Sequence, residues 1–415
     1  MKKFLLTGVV MVLLLVMLGG FSLFAAEQVE IELFYYKQEI VDQMEEMAQL
    51  FSSQYPDITV KLTLIPNDSM VVLRTRMAGG DAPDIIQLQA YSAVFEFAEA
   101  GWLEDITDQP VLAQVMEGAT NSVRYNGRIY ALPMDLAGIG IIYNKDIFKQ
   151  YNLTPPTTFR ELRYVCSELK KNQVTPFAAL FRANWSLGHF ISMAHTTLAG
   201  DKLMPWLERM NQGQGSFADP VEPKELFRLI DFYKANASAN AAEMDWNEQQ
   251  AEFAAGQAAM MIQGLWSYGA AIGTNPALNC GFIPFPVNDN PADTKLFADV
   301  DSTFAIASTS SPAKKKAAKL FLEWLSTPEA IRMWVEECKL VPTFQGADVS
   351  KMDAPFQDLV SYMNQGKTNP WAFAMYPVAV FEDACKNGAQ EYLFGLKSAE
   401  DVINYIDQTW QREIK

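Results

Sequence analysis

The stretch from Val29 to Leu88 repeatedly switches its hydrophobic period, and this constrains the fold more than any other feature of the chain. "VEIELFYY" alternates, with Val29, Ile31 and Leu33 separated by acids, which is the two-residue period of a half-buried strand. "EIVDQMEEMAQLFSSQYP" then sets Ile40, Met44, Met47, Leu50 and Phe51 on one helical face, and Pro56 ends the run. "DITVKLTLIP" alternates again through Ile58, Val60, Leu62 and Leu64. A second helical stretch closes at Gly79-Gly80, a C-cap signal, and "PDIIQL" follows as an apolar strand. Strand, helix, strand, helix, strand is the order of an α/β domain built on a mainly parallel sheet.

The pattern then breaks and restarts. "VRYNGRIYALP" reads as a hairpin with a type I′ turn at Asn126-Gly127, ending at Pro133. "GIGIIYNKDIF" is a new buried strand running into a helix. "PPTTFRELRYVCSELKK" carries a capping box, Thr158 to Glu161, with Phe159, Leu162, Val165, Cys166 and Leu169 inward. Helices fill most of 185–255. "AAMMIQ" is too short and too uniformly apolar for an amphipathic helix, so it is a fully buried strand. "CGFIPFP" and "STFAIAS" are two more strands. Ser311-Pro312 and Thr327-Pro328 open two helices, each with proline behind a capping hydroxyl. The region 355–412 is mostly helical. At 415 residues the chain is too long for one core, and two α/β units account for it.

Net charge is −16, and loss of Lys2 and Lys3 would take it to −18. Phosphate binding needs clustered Lys and Arg, so nucleic acid and anionic membrane surfaces are poor partners. The tight basic cluster, Lys314-Lys315-Lys316, starts an amphipathic helix and reads as a solvated face. Residues 1–26 read as a signal peptide: Lys2 and Lys3, an apolar run from Phe4 to Leu18, Gly19-Gly20, and Ala25-Ala26 before Glu27. The uncharged stretch Phe4–Ala26 is also long enough to span a bilayer, which leaves a retained anchor as the alternative. Cys166, Cys280, Cys338 and Cys385 allow three full disulfide pairings; free buried thiols are the preferred reading.

Several of these segments resemble one family. "VRYNGRIYALPMDLAGIGIIYNKDIF", "PPTTFRELRYVCSELKK", "FAAGQAAMMIQGLWSY", "GGDAPDIIQL" and "STFAIASTSSPAKKKAAKLFLEWLSTPEA" are similar to stretches of sugar-binding solute-binding proteins of bacterial ABC importers, the maltose-binding-protein-like family. The resemblance implies a two-lobed periplasmic-binding-protein fold of α/β class, with hinge crossovers and a cleft between the lobes. By this analogy the crossings lie near Ala131–Pro133, Gly264–Trp266 and Leu325–Thr327. The first lobe would then be 27–132 plus 266–325, and the second 133–265 plus 326–415. The resemblance also implies an exported, periplasmic, soluble monomer that captures a carbohydrate and hands it to the transmembrane subunits of an ABC permease. It implies no cofactor, no metal and no catalysis.

Ligands of open α/β sheets sit beyond the carboxyl ends of the strands, and Trp266 lies just past such an end, with Gly264 read as giving the backbone room to turn. Sugars present C–H faces and hydroxyls, so their sites combine aromatic plates with amides and carboxylates. The resemblance assigns Trp266 as the stacking ring and Asp135 as a hydroxyl acceptor. It adds Trp185, Trp371 and Tyr376 as further aromatics of the second lobe. In the first lobe Tyr35, Tyr36 and Lys37 follow the first strand, and Gln87 and Gln89 follow "PDII"; the latter replace an aromatic and charged cluster of maltose-binding protein. Asp299 and Asp301 fall on an expected loop. Lys37 and Arg182 keep a glycerol phosphate open as ligand, and Asp135, Asp299 and Asp301 keep a polyamine open. A metal chelate as ligand, a membrane-anchored sensor and a two-carboxylate glycosidase are the remaining alternatives. The chain has no GxSxG, HExxH or P-loop, and its two histidines, His189 and His195, are off-face on a helix.

Overall fold

The computed structural model describes residues 28–116 and 118–415; the expected signal peptide lies outside them. In chain order the strands are β1 (Val29–Tyr35), β2 (Ile58–Leu64), β3 (Ile85–Gln89), β4 (Arg124–Tyr125), β5 (Arg128–Ile129), β6 (Ala131–Pro133), β7 (Asp135–Asn144), β8 (Thr175–Ala178), β9 (Ala258–Gly264), β10 (Cys280–Ile283), β11 (Leu296–Val300), β12 (Ser302–Ile306), β13 (Val341–Pro342) and β14 (Thr368–Asn369). They form two main sheets and a small hairpin.

The first sheet runs β2-β1-β3-β12-β6. β1 is parallel to both β2 and β3, as the opening alternation requires, and β12 is antiparallel to β3 and β6. The β4–β5 hairpin turns through Asn126 and Gly127, both at positive φ, the geometry of a type I′ turn. Helices Val41–Gln54, Ser92–Glu99, Pro312–Trp324 and Pro328–Glu336 cover this sheet with Met44, Phe51, Phe97, Phe321, Trp324 and Trp334.

The second sheet is organised on β7. One edge of β7 takes β11 and then β10; the other takes β13 and then β9. β8 is parallel to β9, and β14 to β11. β9 is buried at every residue, as a strand covered on both faces should be. One face carries the helices Phe159–Lys171, Asn184–Ala199, Pro223–Ala235 and Ala399–Glu413; the other packs on Phe253, Tyr268 and Phe356. The expected capping box at Thr158 and Glu161 and the Ser311 and Thr327 caps are present. All four cysteines are buried free thiols.

The strand pairing moves two of the expected crossings. The helix Trp266–Thr274, β10 and β11 follow β9 and stay with the second sheet, so the chain does not leave it at Gly264–Trp266. It leaves at Asp301, between β11 and β12. The helix Pro328–Glu336 belongs to the first core, so the third crossing comes near Leu340–Thr343 and not Leu325–Thr327. By these cores the first lobe takes 28–134 with 302–340, and the second 135–300 with 341–415, except that Phe344 dips back into the first core and bridges to Val115. The three crossings lie side by side. Asp301 N–H donates to the Asp135 carbonyl at 2.9 Å, Met134 N–H to that of Ser302 at 2.9 Å, and Thr343 N–H to that of Met134 at 2.9 Å.

Candidate functional site

A cleft of about 480 Å³ lies between the lobes, within the 300–1,000 Å³ range of small-molecule sites. Its first-lobe wall comes from beyond the carboxyl ends of the parallel strands: Tyr36, Lys37, Gln38 and Glu39 after β1, Asn67 to Val71 after β2, and Gln89 at the end of β3. Arg74 adds to it. The second-lobe wall is Asn184, Trp185, His189, Trp246, Trp266, Ala379, Glu382, Asp383 and Lys386, and Asp301 lies between the walls.

The second-lobe wall is a layered set of rings. Trp185 and Trp266 flank His189 at centroid distances of 5.8 Å each. Behind them, Phe373 lies 5.0 Å from His189, Phe381 stacks on it at 5.5 Å, and Trp371 meets Trp266 edge-on at 6.2 Å. Burial among these rings, with Lys386 nearby, pushes His189 down to about 3, so its imidazole is neutral. Gly264 is needed for a reason other than the expected backbone turn. A Cβ there would sit 2.2 Å from the indole carbons of Trp266, so the bare backbone is what the ring lies against. Gly188 does the same for Lys386, whose Cγ would be 2.6 Å from an added Cβ. The Lys386 ammonium pairs with Glu382 at 2.7 Å.

The first-lobe wall rests on charge. Lys37 Nζ is buried between Asp135 at 2.9 Å and Asp301 at 2.5 Å. Burial opposes its charge, but the two carboxylates outweigh that and hold Lys37 well above the ordinary lysine range. Asp135 also accepts from the backbone N–H and hydroxyl of Ser302. Gln87 is buried and accepts the Tyr36 N–H at 3.0 Å, which fixes the loop after β1. The Tyr36 hydroxyl is buried without a partner. Arg74 is held bidentate by Glu96 at 2.7 and 2.8 Å.

The lobes also meet beside the cleft. The Tyr91 hydroxyl donates to Asp299 at 3.0 Å, and the Trp371 N–H donates to the same carboxylate at 3.1 Å. Tyr91 follows β3, while Asp299 is in β11, so this bond joins the lobes. Burial raises Asp299. Tyr91 sits at φ 63°, ψ −118°, a region costing a bulky residue about 1–3 kcal/mol.

Of the residues singled out in the sequence, Trp266, Trp185, Tyr36, Gln89, Asp301 and Lys37 line the cleft. The others do not. Asp135 is tied to Lys37 and Ser302, Gln87 supports the loop, and Asp299 lies in a strand bonded to Tyr91 and Trp371. Trp371 is buried behind Trp266 with its indole N–H on the Phe297 carbonyl. Tyr376 is fully buried between Trp206 and Trp410, and Tyr35 is in the first core. Arg182 is exposed and reaches toward the Glu243 carbonyl. The sequence reading missed Trp246, Glu382 and Asp383. A signal existed for the last two: in "VFEDACK" the apolar Phe381, Ala384 and Cys385 turn inward, which leaves Glu382, Asp383 and Lys386 outward.

A family model described as bacterial extracellular solute-binding protein matches residues 31–331, more than two thirds of the chain. The multiple sugar-binding protein of Streptococcus mutans is 26% identical over 349 residues, 83% of this chain and 82% of that one. The melibiose/raffinose/stachyose-binding protein MelE of Bacillus subtilis is 23% identical over 381 residues, 89% and 86% of the two chains. The structure of the binding protein RafE in complex with raffinose superposes with a TM-score of 0.82 at 22% identity, covering 93% of this chain and all of that one. Among the described residues no helix is long and apolar enough to cross a membrane.

Proposed function

We infer that this chain, which belongs to the bacterial extracellular solute-binding protein family, captures an uncharged sugar or oligosaccharide between its lobes and delivers it to the permease of an ABC importer. One observation carries the ligand class: a wall of half-buried tryptophans faces a wall of amides and carboxylates across a cleft of about 480 Å³. Indole rings cover the C–H faces of a pyranose, while amides and carboxylates take its hydroxyls. The relatives named for melibiose, raffinose and stachyose, and for multiple sugars, support the same class.

The charged alternatives lose their residues to internal pairs. Lys37, Arg74 and Lys386 are each held by carboxylates, which leaves no unpaired cation for a phosphate among the described residues that line the cleft. Asp135 and Asp299, two of the three carboxylates on which a polyamine site would rest, do not face it. The chain has no chemical step to perform in this reading. A ligand favours the closed arrangement by as much as its affinity for the two arrangements differs, and closure presents the docking surface.

A thermal-shift panel tests the class: melibiose, raffinose, stachyose, maltotriose, glycerol 3-phosphate and spermidine. A sugar at about 100 times its Kd adds roughly 2.7 kcal/mol and raises Tm by several degrees. A rise with glycerol 3-phosphate or spermidine alone would overturn the sugar reading.

A further inference from the structure

Glu39 is the one cleft carboxylate in the loop after β1, and it is left without a hydrogen-bonding side chain. Its nearest cation, Lys37, is 3.8 Å away and already committed to Asp135 and Asp301 at shorter range. The Glu39 side chain is 14% exposed, and its residue lines the cleft. Three positions earlier, the buried Tyr36 hydroxyl also lacks a partner. A largely buried ionised carboxylate is unfavourable unless donors surround it, and here its own backbone N–H and the distant charge of Lys37 only partly meet that need. A ligand hydroxyl would meet the rest.

We propose that Glu39 is a ligand-binding carboxylate that accepts sugar hydroxyls in its ionised form, so that capture releases a proton from this residue. The inference rests on the sugar reading above and adds the residue and its proton to it. Burial pushes Glu39 up to about 7, only partly offset by the attraction of Lys37, so near pH 7 the empty site carries a proton in part of the molecules. Hydroxyl donors stabilise the charged form and draw it back down.

The groups around Glu39 fit this assignment. Lys37 and Tyr36 face it from its own segment, and Asp42 lies further along the following helix. Asp135 and Asp301 face it from the crossings, and Cys338 from beyond Pro328–Glu336. The helix Trp266–Thr274, which packs against this turn, holds Tyr268 as its one titratable residue. Both histidines of the chain are neutral above pH 5.5, pushed by burial to about 3 and about 4, so imidazole does not supply a step there.

The test is isothermal titration with raffinose and with stachyose from pH 5.5 to 8.5, repeated in two buffers of different ionisation enthalpy. Affinity should rise at least tenfold from pH 5.5 to 8, with a fraction of a proton released per sugar near pH 7. Glu39→Gln should bind at least tenfold more weakly at pH 8 and show a flat profile. Glu39→Asp should keep the pH step at lower affinity. A pH-independent Kd with no proton released, or a Glu39→Gln profile that keeps the wild-type slope, overturns this inference and leaves the sugar reading standing. Failure of every sugar in the panel to bind overturns both.

Discussion

The two walls of the cleft are built on opposite principles. On the second lobe, rings are backed by rings: Trp266 lies on Gly264 and against Trp371, and His189 on Phe381. On the first lobe, Lys37 consumes two carboxylates, while the Tyr36 hydroxyl has no partner and Glu39 has no side-chain hydrogen bond, only the more distant charge of Lys37. An apolar plate is finished before any solute arrives, because packing alone fixes it. Hydroxyl-binding groups cannot be finished, since their proper partner is the solute. The aromatic lobe is thus expected to supply affinity, and the polar lobe to supply selection and the drive to close.

Removing the support of the polar wall should have the largest effect. Lys37→Met leaves Asp135 and Asp301 buried without a cation, and should cost about 3–5 kcal/mol in chemical unfolding. A loss under about 1 kcal/mol would mean that the first-lobe wall does not depend on this ammonium. Next comes the plate itself. Trp266→Ala should weaken sugar binding by about 2 kcal/mol or more, roughly thirtyfold, with a smaller change in unfolding free energy. Unchanged calorimetric affinity would remove the aromatic lobe from binding.

Tyr91→Phe deletes the bond to Asp299 across the lobes and should cost the closed arrangement about 1 kcal/mol. Small-angle scattering of the ligand-free variant should show a larger radius of gyration, and affinity should fall a few-fold. The smallest effect is in the empty protein. A carboxyl whose folded pKa lies above its unfolded one opposes folding once it ionises, and is neutral to folding below the unfolded value. Glu39→Gln should therefore raise Tm slightly at pH 8 and leave it unchanged at pH 4. The same substitution stabilises the empty chain and weakens its capture of sugar, which an inert surface residue would not do.

The parts of the fold legible in the sequence were those with local causes. The alternation of β1 to β3, the Asn126-Gly127 turn, the Thr158 capping box and the uniformly apolar β9 each follow from neighbours in the chain. The crossing at Asp301 has no local cause. β11 is short, follows a loop rich in Asn, Pro and Asp, and becomes a strand through its pairing with β7, more than 150 residues earlier. The site divides in the same way. Trp185 and Trp266 lie on the wall and Trp371 lies behind it, but all three are single tryptophans in short mixed stretches, and the sequence does not show which ring covers which. Asp135 is a carboxylate next to a crossing; that its partner is Lys37 rather than a ligand depends on a contact across 98 residues.

The three crossings have a mechanical consequence. Separate tethers would leave the lobes free to slide, roll and twist. Met134–Asp135, Asp301–Ser302 and Thr343 instead form a narrow hydrogen-bonded ribbon. Shearing such a ribbon by one residue, about 3.3 Å, breaks its ladder, whereas flexing it perpendicular to its plane needs only small dihedral changes spread over several residues. The molecule then has one soft degree of freedom, with its rotation axis set by the plane of the ribbon. Lengthening a cleft loop would change what is grasped, but the jaw would still swing along the same arc.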